Sequence, residues 1–123
     1  MNIFPFSSFG NNDKAEIKRL WEENMCESWN DYDGADMFVV RDIGDTVGGF
    51  AVYKDESDGI KGTFCSGWAA RHRKVPTDRI IKQIALNVGD LYFKTDQRTA
   101  KILLEKIGKK VKTTDRFCYY IVR

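Results

Sequence analysis

Apolar residues recur along this chain at two spacings, and the switch from one to the other predicts its elements. Ile17, Leu20, Trp21 and Met25 repeat at i, i+3, i+4 and i+8, with Lys14, Lys18, Glu22 and Glu23 elsewhere around the wheel. Ile80, Ile81, Ile84, Ala85 and Val88 form a second stripe, and Ala100, Leu103, Leu104 and Ile107 a third. Each predicts one amphipathic helix. Asn12 or Asp13 can cap the first, which frays near Trp29. Pro76, Thr77 and Asp78 suit the start of the second and Gly89 its stop. For the third, Asp96 occupies the expected N-cap, and Gly108 ends the helix in the left-handed conformation that glycine adopts cheaply.

Between these helices the pattern is that of strands. Met1 to Phe6 is short and apolar, and Pro5 fits a sheet edge better than its centre. Met37 to Arg41, Thr46 to Lys54 and Ile60 to Ala69 read as an antiparallel meander, with turns around Gly44 and at Asp55 to Gly59. Gly48 and Gly49 inside the second of these predict a bulge or a close backbone approach. Leu91 to Phe93 is a strand that feeds the third helix. Lys109 to Thr113 and Phe117 to Val122 make a final hairpin turning at Thr114, Asp115 and Arg116. The order is strand, helix, three strands, helix, strand, helix, two strands. It predicts an α/β (α+β) fold in one domain spanning residues 1–123. Its sheet is mixed and mostly antiparallel, of about six to seven strands, with helices on both faces.

Charge changes this picture because it is unevenly spread. Residues 1–58 hold 5 Lys/Arg and 13 Asp/Glu, and residues 59–123 hold 15 and 5, which is −8 against +10. The acidic half suits a cation or an amine, and the basic half suits phosphate or nucleic acid, unless the two halves interleave in space and cancel. Cys26, Cys65 and Cys118 are far apart and odd in number, and His72 is the one histidine. These counts argue against a disulfide framework, a metal site and a His-based triad. No apolar run is long enough for a bilayer, and the opening residues lack the basic-then-apolar order of a signal peptide, so no membrane and a cytoplasmic setting are expected.

Two stretches resemble the GNAT superfamily of N-acetyltransferases. Thr46-Val47-Gly48-Gly49-Phe50-Ala51-Val52 is similar to that family's entry into its third strand. Ala100 to Gly108, AKILLEKIG, is similar to its late N-x-x-A-x-x-[LF]-Y-E-K-x-G-F motif, matching at Ala100, Leu103, Glu105, Lys106 and Gly108. The resemblance implies the family's fold over nearly the whole chain, and an acyl-CoA whose pantetheine arm runs beside the late strand and this helix. Four features depart from the motifs, the first being Lys109 where the family has Phe. The family's Asn falls on Gln97, which keeps an amide. Its Tyr, a common general acid, falls on Leu104, which has no proton to give. Its glycine-rich phosphate loop falls on residues 70–79, ARHRKVPTDR, which contain no glycine. Small, eroded, phage-encoded members of the superfamily share such departures.

On that resemblance, the residues expected to bind the cofactor are Arg71, Arg73, Lys74, Thr77 and Gln97. The three cations would stand in for loop amides as charge-assisted donors at a helix start. The bland reading is a solvated basic loop. Trp29, Asp31, Tyr32 and Asp33 lie where the family opens its acceptor groove, and could hold an amine by charge and aromatic contact. They also read as a polar turn beside core aromatics. Tyr92, Tyr119 and Tyr120 are candidate replacement acids, although packing suits them as well. Cys65 reads as a small buried residue rather than a nucleophile. No catalytic residue is assigned. The missing loop glycines and Leu104 favour a non-catalytic binding or structural module, phage-encoded, with a protein or virion partner. The alternatives are an active N-acyltransferase using acetyl-CoA on an amine, and a nucleic-acid-binding module working through the basic half.

Overall fold

A computed structural model describes all residues, 1–123. It contains seven strands, β1 (Asn2–Pro5), β2 (Asp36–Asp42), β3 (Asp45–Ser57), β4 (Ile60–Ala69), β5 (Leu91–Thr95), β6 (Lys109–Thr113) and β7 (Cys118–Val122). Three α-helices, α1 (Asn11–Met25), α2 (Thr77–Val88) and α3 (Arg98–Ile107), alternate with them in the predicted order. The strands form one sheet in the order β1-β2-β3-β4-β5-β7-β6. Its described pairings are antiparallel except β4 with β5, which run parallel with Phe64 opposite Tyr92.

The chain divides into two compact units, and the division cuts through β3 and β4. The first comprises Met1–Tyr53 and Ser66–Val75. Its core is Ile17 and Trp21 from α1, Val39 and Val40 from β2, and Val47 and Phe50 from β3. β1 is the edge strand that Pro5 predicted, pairing antiparallel with β2. The β2–β3 turn is made by Ile43 and Gly44, both at positive φ, the conformation a tight hairpin demands at both central residues. One residue of β3, Val47, is skipped where the register slips between Val40 and Arg41. This is the bulge that the adjacent Gly48 and Gly49 predicted.

The second unit comprises Lys54–Cys65 and Pro76–Arg123. Here α2 and α3 touch each other and both lie on β7. β7 reads Cys-Tyr-Tyr-Ile-Val and is buried throughout, whereas β6 reads Lys-Lys-Val-Lys-Thr and is exposed throughout. A strand with both faces covered must be apolar at every position, and an edge strand is protected by lysines. That difference puts β7 next to β5 and leaves β6 outside it.

Four local readings need correction. α1 stops at Met25, where Cys26 turns left-handed, and a separate 3-10 turn at Trp29–Tyr32, capped by Ser28, replaces the frayed end. The N-cap of α1 is Gly10 and that of α3 is Gln97, so neither Asn12, Asp13 nor Asp96 caps. Around α3 the short hydroxyl of Thr95 takes the Gln97 N–H at 3.1 Å instead. Gly108 does end α3, but in an extended conformation, φ −142°. Its glycine is demanded by space: a Cβ there would lie 2.5 Å from the Ile121 carbonyl oxygen. Val88, placed on the buried stripe of α2, is exposed at the helix end.

Candidate functional site

The acidic and aromatic residues singled out in the sequence converge in the first unit. Trp29 sits on the 3-10 turn with its ring against Phe6 (centroids 4.7 Å apart) and edge-on to Trp21 (5.8 Å). Its backbone N–H donates to Glu22 Oε2 at 2.8 Å, which ties the turn to α1. Tyr32 packs edge-on to Trp21 and to Tyr53 at 5.0 and 5.7 Å, and its hydroxyl donates to Glu27. Burial, and then the hydrogen bond to that carboxylate, push the Tyr32 phenol well above its ordinary pKa. Asp31 and Asp33 are exposed at the turn. Residues 20–40 carry six Asp/Glu and no Lys, Arg or His, but Lys14 and Lys18 lie over the Phe6 ring at 5.4 and 5.9 Å and Arg19 pairs with Glu23 at 2.8 Å, so the surroundings of this aromatic cluster carry both signs of charge.

Beneath it lies a tight crevice with room for about one water, lined by Ile17, Trp21, Trp29, Met37, Trp68 and the Gly48–Gly49 backbone among others. The resemblance placed Trp29 near an acceptor groove, and the helical stripe gave Trp21 to packing. Trp21 does pack, at 1% exposure, yet its Nε1–H is buried without any hydrogen-bond partner. No sequence signal distinguishes such a tryptophan from a satisfied one. Glycine at 49 makes room for this arrangement, because a Cβ there would lie 3.2 Å from both Trp21 Cε3 and Trp68 Nε1.

The five residues assigned to cofactor binding are split between the units. Arg71, Arg73 and Lys74 belong to the first, Thr77 and Gln97 to the second. Residues 71–74 form a turn held by the Ala70 N–H to the Val47 carbonyl at 2.8 Å and the Arg73 N–H to the Ala70 carbonyl at 3.3 Å. Arg71 and Lys74 are exposed on it. Arg73 instead reaches Asp42 Oδ2 at 3.3 Å and Asp45 Oδ2 at 2.7 Å. Those two carboxylates face each other at the mouth of the β2–β3 hairpin, and the guanidinium fork bridges them and relieves their repulsion. Thr77 opens α2 behind Pro76, and Gln97 is an exposed cap with no side-chain capping bond.

The candidate proton donors of the second unit are engaged. Tyr119 and Tyr120 are fully buried. The Tyr119 hydroxyl bonds with Ser57 Oγ at 2.8 Å and with Asp58, and Tyr120 donates to Glu105 at 3.2 Å. Burial, then the Glu105 bond, push Tyr120 up to about 12. Leu104 is 3% exposed, the buried residue of α3, so this position points into packed side chains. Tyr92 covers Gly62 and stacks on Phe64 at 5.6 Å. The Cys65 thiol is buried, and burial alone pushes its pKa far up, so it is no nucleophile.

No family model and no curated protein matches this chain. Solved structures do. Campylobacter jejuni N-acetyltransferase PseH, in complex with acetyl coenzyme A, aligns over 99% of this chain and 97% of its own, with TM-score 0.66 and 12% identity. The fold is that of the GNAT acetyltransferases. Escherichia coli ElaA aligns equally well at 7% identity (TM-score 0.66, 99% and 97%). The ribosomal-protein-alanine N-acetyltransferase of Brucella melitensis follows at 10% identity (TM-score 0.62, 98% of each chain). These likenesses establish a GNAT-like α+β fold with a seven-stranded mixed sheet and three helices. All three neighbours are bacterial proteins. No helix is long and apolar enough to cross a membrane.

Proposed function

We propose that this protein is an N-acyltransferase that takes an acyl group from acyl-CoA to a primary amine. The observation that carries the reading is the match, over nearly the full length of both chains, to an N-acetyltransferase with acetyl coenzyme A bound. The exposed cations Arg71 and Lys74 fit the anionic end of such a cofactor, whereas Arg73 is committed to Asp42 and Asp45 and positions the turn instead. Bound acyl-CoA would supply the acyl group as a thioester. The protein's share is to hold the amine and to exclude water, so that a two-body encounter becomes an oriented one. The exposed carboxylates of Asp31 and Asp33 on the 3-10 turn would favour a protonated amine nearby. Transfer forms the N–C bond and breaks the C–S bond. The ammonium gives one proton to water before its nitrogen attacks, and the second leaves that nitrogen as the adduct collapses and is carried by water to the departing thiolate, so no protein acid is required. That absence of need is consistent with Leu104 at the position where the family has Tyr.

Calorimetric titration with acetyl-CoA, followed by a thiol-release assay over a panel of primary amines, tests the reading. Binding in the micromolar range with amine-dependent release of thiol is expected. No heat at millimolar acetyl-CoA would sink it. A second reading, a binding module without catalysis, is favoured by the glycine-free stretch 70–79 and by Leu104, and predicts acetyl-CoA binding without any thiol release. For nucleic acid, the fold weakens the case: the second unit carries 13 Lys/Arg against 8 Asp/Glu, a smaller excess than the C-terminal half of the sequence has.

A further inference from the structure

A file of hydroxyl groups runs through the first unit and ends on a carboxylate just beyond α1. The Tyr53 hydroxyl lies 2.7 Å from Ser66 Oγ, which joins β3 to β4. Ser66 is also bonded to the Tyr32 hydroxyl, and that bond opposes the rise in the Tyr32 pKa that burial and Glu27 cause. Only a donor to the phenol oxygen acts in that direction. Tyr32 in turn donates to Glu27. Proton counting fixes the sense of each bond. A carboxylate can only accept, so the Tyr32 proton points to Glu27. Ser66 directs its one proton to Tyr32, so Tyr53 is the donor of the remaining pair. All three O–H groups therefore point outward, from half-buried Tyr53, Ser66 and Tyr32 to exposed Glu27. The neighbouring carboxylates have other partners. Glu22 Oε2 accepts from the Trp29 backbone and Glu23 Oε1 from Arg19, both at 2.8 Å. Glu27 is the carboxylate whose bond leads inward to the sheet.

We propose that Tyr53, Ser66, Tyr32 and Glu27 form a proton relay, with Glu27 its terminal base, that carries off the first proton of the substrate ammonium. The inference rests on the acyltransferase reading, in which Asp31 and Asp33 draw the ammonium to the turn that bears Tyr32. The water that takes the ammonium's proton hands one to Tyr53. Tyr53 gives its own to Ser66, Ser66 to Tyr32, and Tyr32 to Glu27. Each hydroxyl oxygen breaks one O–H bond and makes another, so the net result is a neutral amine and a protonated Glu27. No phenolate forms on the way, and the raised pKa of Tyr32 is no obstacle. Glu27 then loses its proton to bulk water and the hydroxyls rotate back. The relay acts through water, so its members position and move a proton without touching the reacting atoms.

Two amines in the thiol-release assay with acetyl-CoA test the relay. Ethylamine is protonated at neutral pH, and 2,2,2-trifluoroethylamine is largely neutral there. In Glu27→Gln, kcat/KM for ethylamine should fall about a hundredfold, the low end of general-base effects, while calorimetry shows acetyl-CoA affinity unchanged. For trifluoroethylamine the deficit should stay within about threefold, because that amine arrives without the proton. Ser66→Ala should copy this pattern, and Ser66→Thr, which keeps a hydroxyl, should recover most of the loss. Thermal melts establish that each variant is folded. Equal deficits for the two amines would make the network a packing feature and overturn the relay. So would an unchanged Glu27→Gln, or a Ser66→Thr no better than Ser66→Ala. Turnover by the parent chain with any of these results removes the relay alone. No thiol release by the parent with either amine overturns the relay, and none across the whole amine panel removes the acyltransferase reading as well.

Discussion

Both units of this protein bury large aromatic side chains with polar atoms, and they treat those atoms differently. In the second, Tyr119 and Tyr120 are fully buried and each hydroxyl is bonded, to Ser57 and Asp58 in one case and to Glu105 in the other. In the first, Trp21 is as deeply buried and its N–H is bonded to nothing. Buried polar groups in folded proteins are nearly always paired. A closed network such as that of the tyrosines rigidifies a core, whereas an unpaired buried donor leaves a cost of about 1–3 kcal/mol standing.

The sharpest way to break that contrast is to show that the first unit is merely loose. Two glycines test this, since both sit where a Cβ has no room. At Gly108 the added carbon would lie 2.5 Å from the Ile121 oxygen, and at Gly67 2.5 Å from the Gly49 oxygen. Gly108→Ala and Gly67→Ala should each cost about 2–3 kcal/mol in urea unfolding, as overpacking against backbone does. A negligible cost at Gly67 alone would mean that the first unit yields, and the cleft would then be slack packing.

Tyr120→Phe comes next. It leaves no buried partner unpaired, because Glu105 is exposed, so it should cost about 1 kcal/mol. Its pH dependence is more telling. Because the Tyr120 phenol is raised to about 12 in the folded chain, the folded state keeps a proton that the unfolded state loses near its ordinary value of about 10. Its stabilising share is complete below about pH 10 and is lost as pH rises towards 12. Circular dichroism along an alkaline titration should show Tyr120→Phe losing less stability over that window than the parent chain. An identical profile would argue that the network is not closed.

Smaller effects sharpen the first unit. Arg73→Ala should cost about 1 kcal/mol, and a double-mutant cycle with Asp45→Asn should show coupling of about 0.5 kcal/mol that fades in high salt. Zero coupling would release Arg73 for anion binding. Ile43 is a β-branched residue at φ 47° with 97% of its surface exposed. Ile43→Asn should therefore raise stability by about 0.5 kcal/mol in the same unfolding measurement, since asparagine tolerates the left-handed turn.

The sequence by itself determined the element order, because each helix carries its own 3.6-residue stripe and each strand its own β-prone run. Pro5 marked the edge and Gly48 and Gly49 the bulge, while the outer place of β6 came only with the sheet order. The family resemblance, not spacing, pointed to Trp29, Asp31, Tyr32 and Asp33. Long-range geometry decided the rest. The N-cap of α3 moved to Gln97 because Thr95 reached its amide first, and Gly108 is glycine because another strand's carbonyl stands beside it. The apparent charge split of −8 and +10 softened once the acids at 55–58 and the cations at 71–74 exchanged sides, leaving 7 Lys/Arg and 10 Asp/Glu in the first unit. Arg73 turned from a candidate anion contact into a clamp on Asp42 and Asp45. Whether a buried tryptophan N–H finds an acceptor depends on atoms far away in the chain, and so the open bond of Trp21 is visible only in three dimensions.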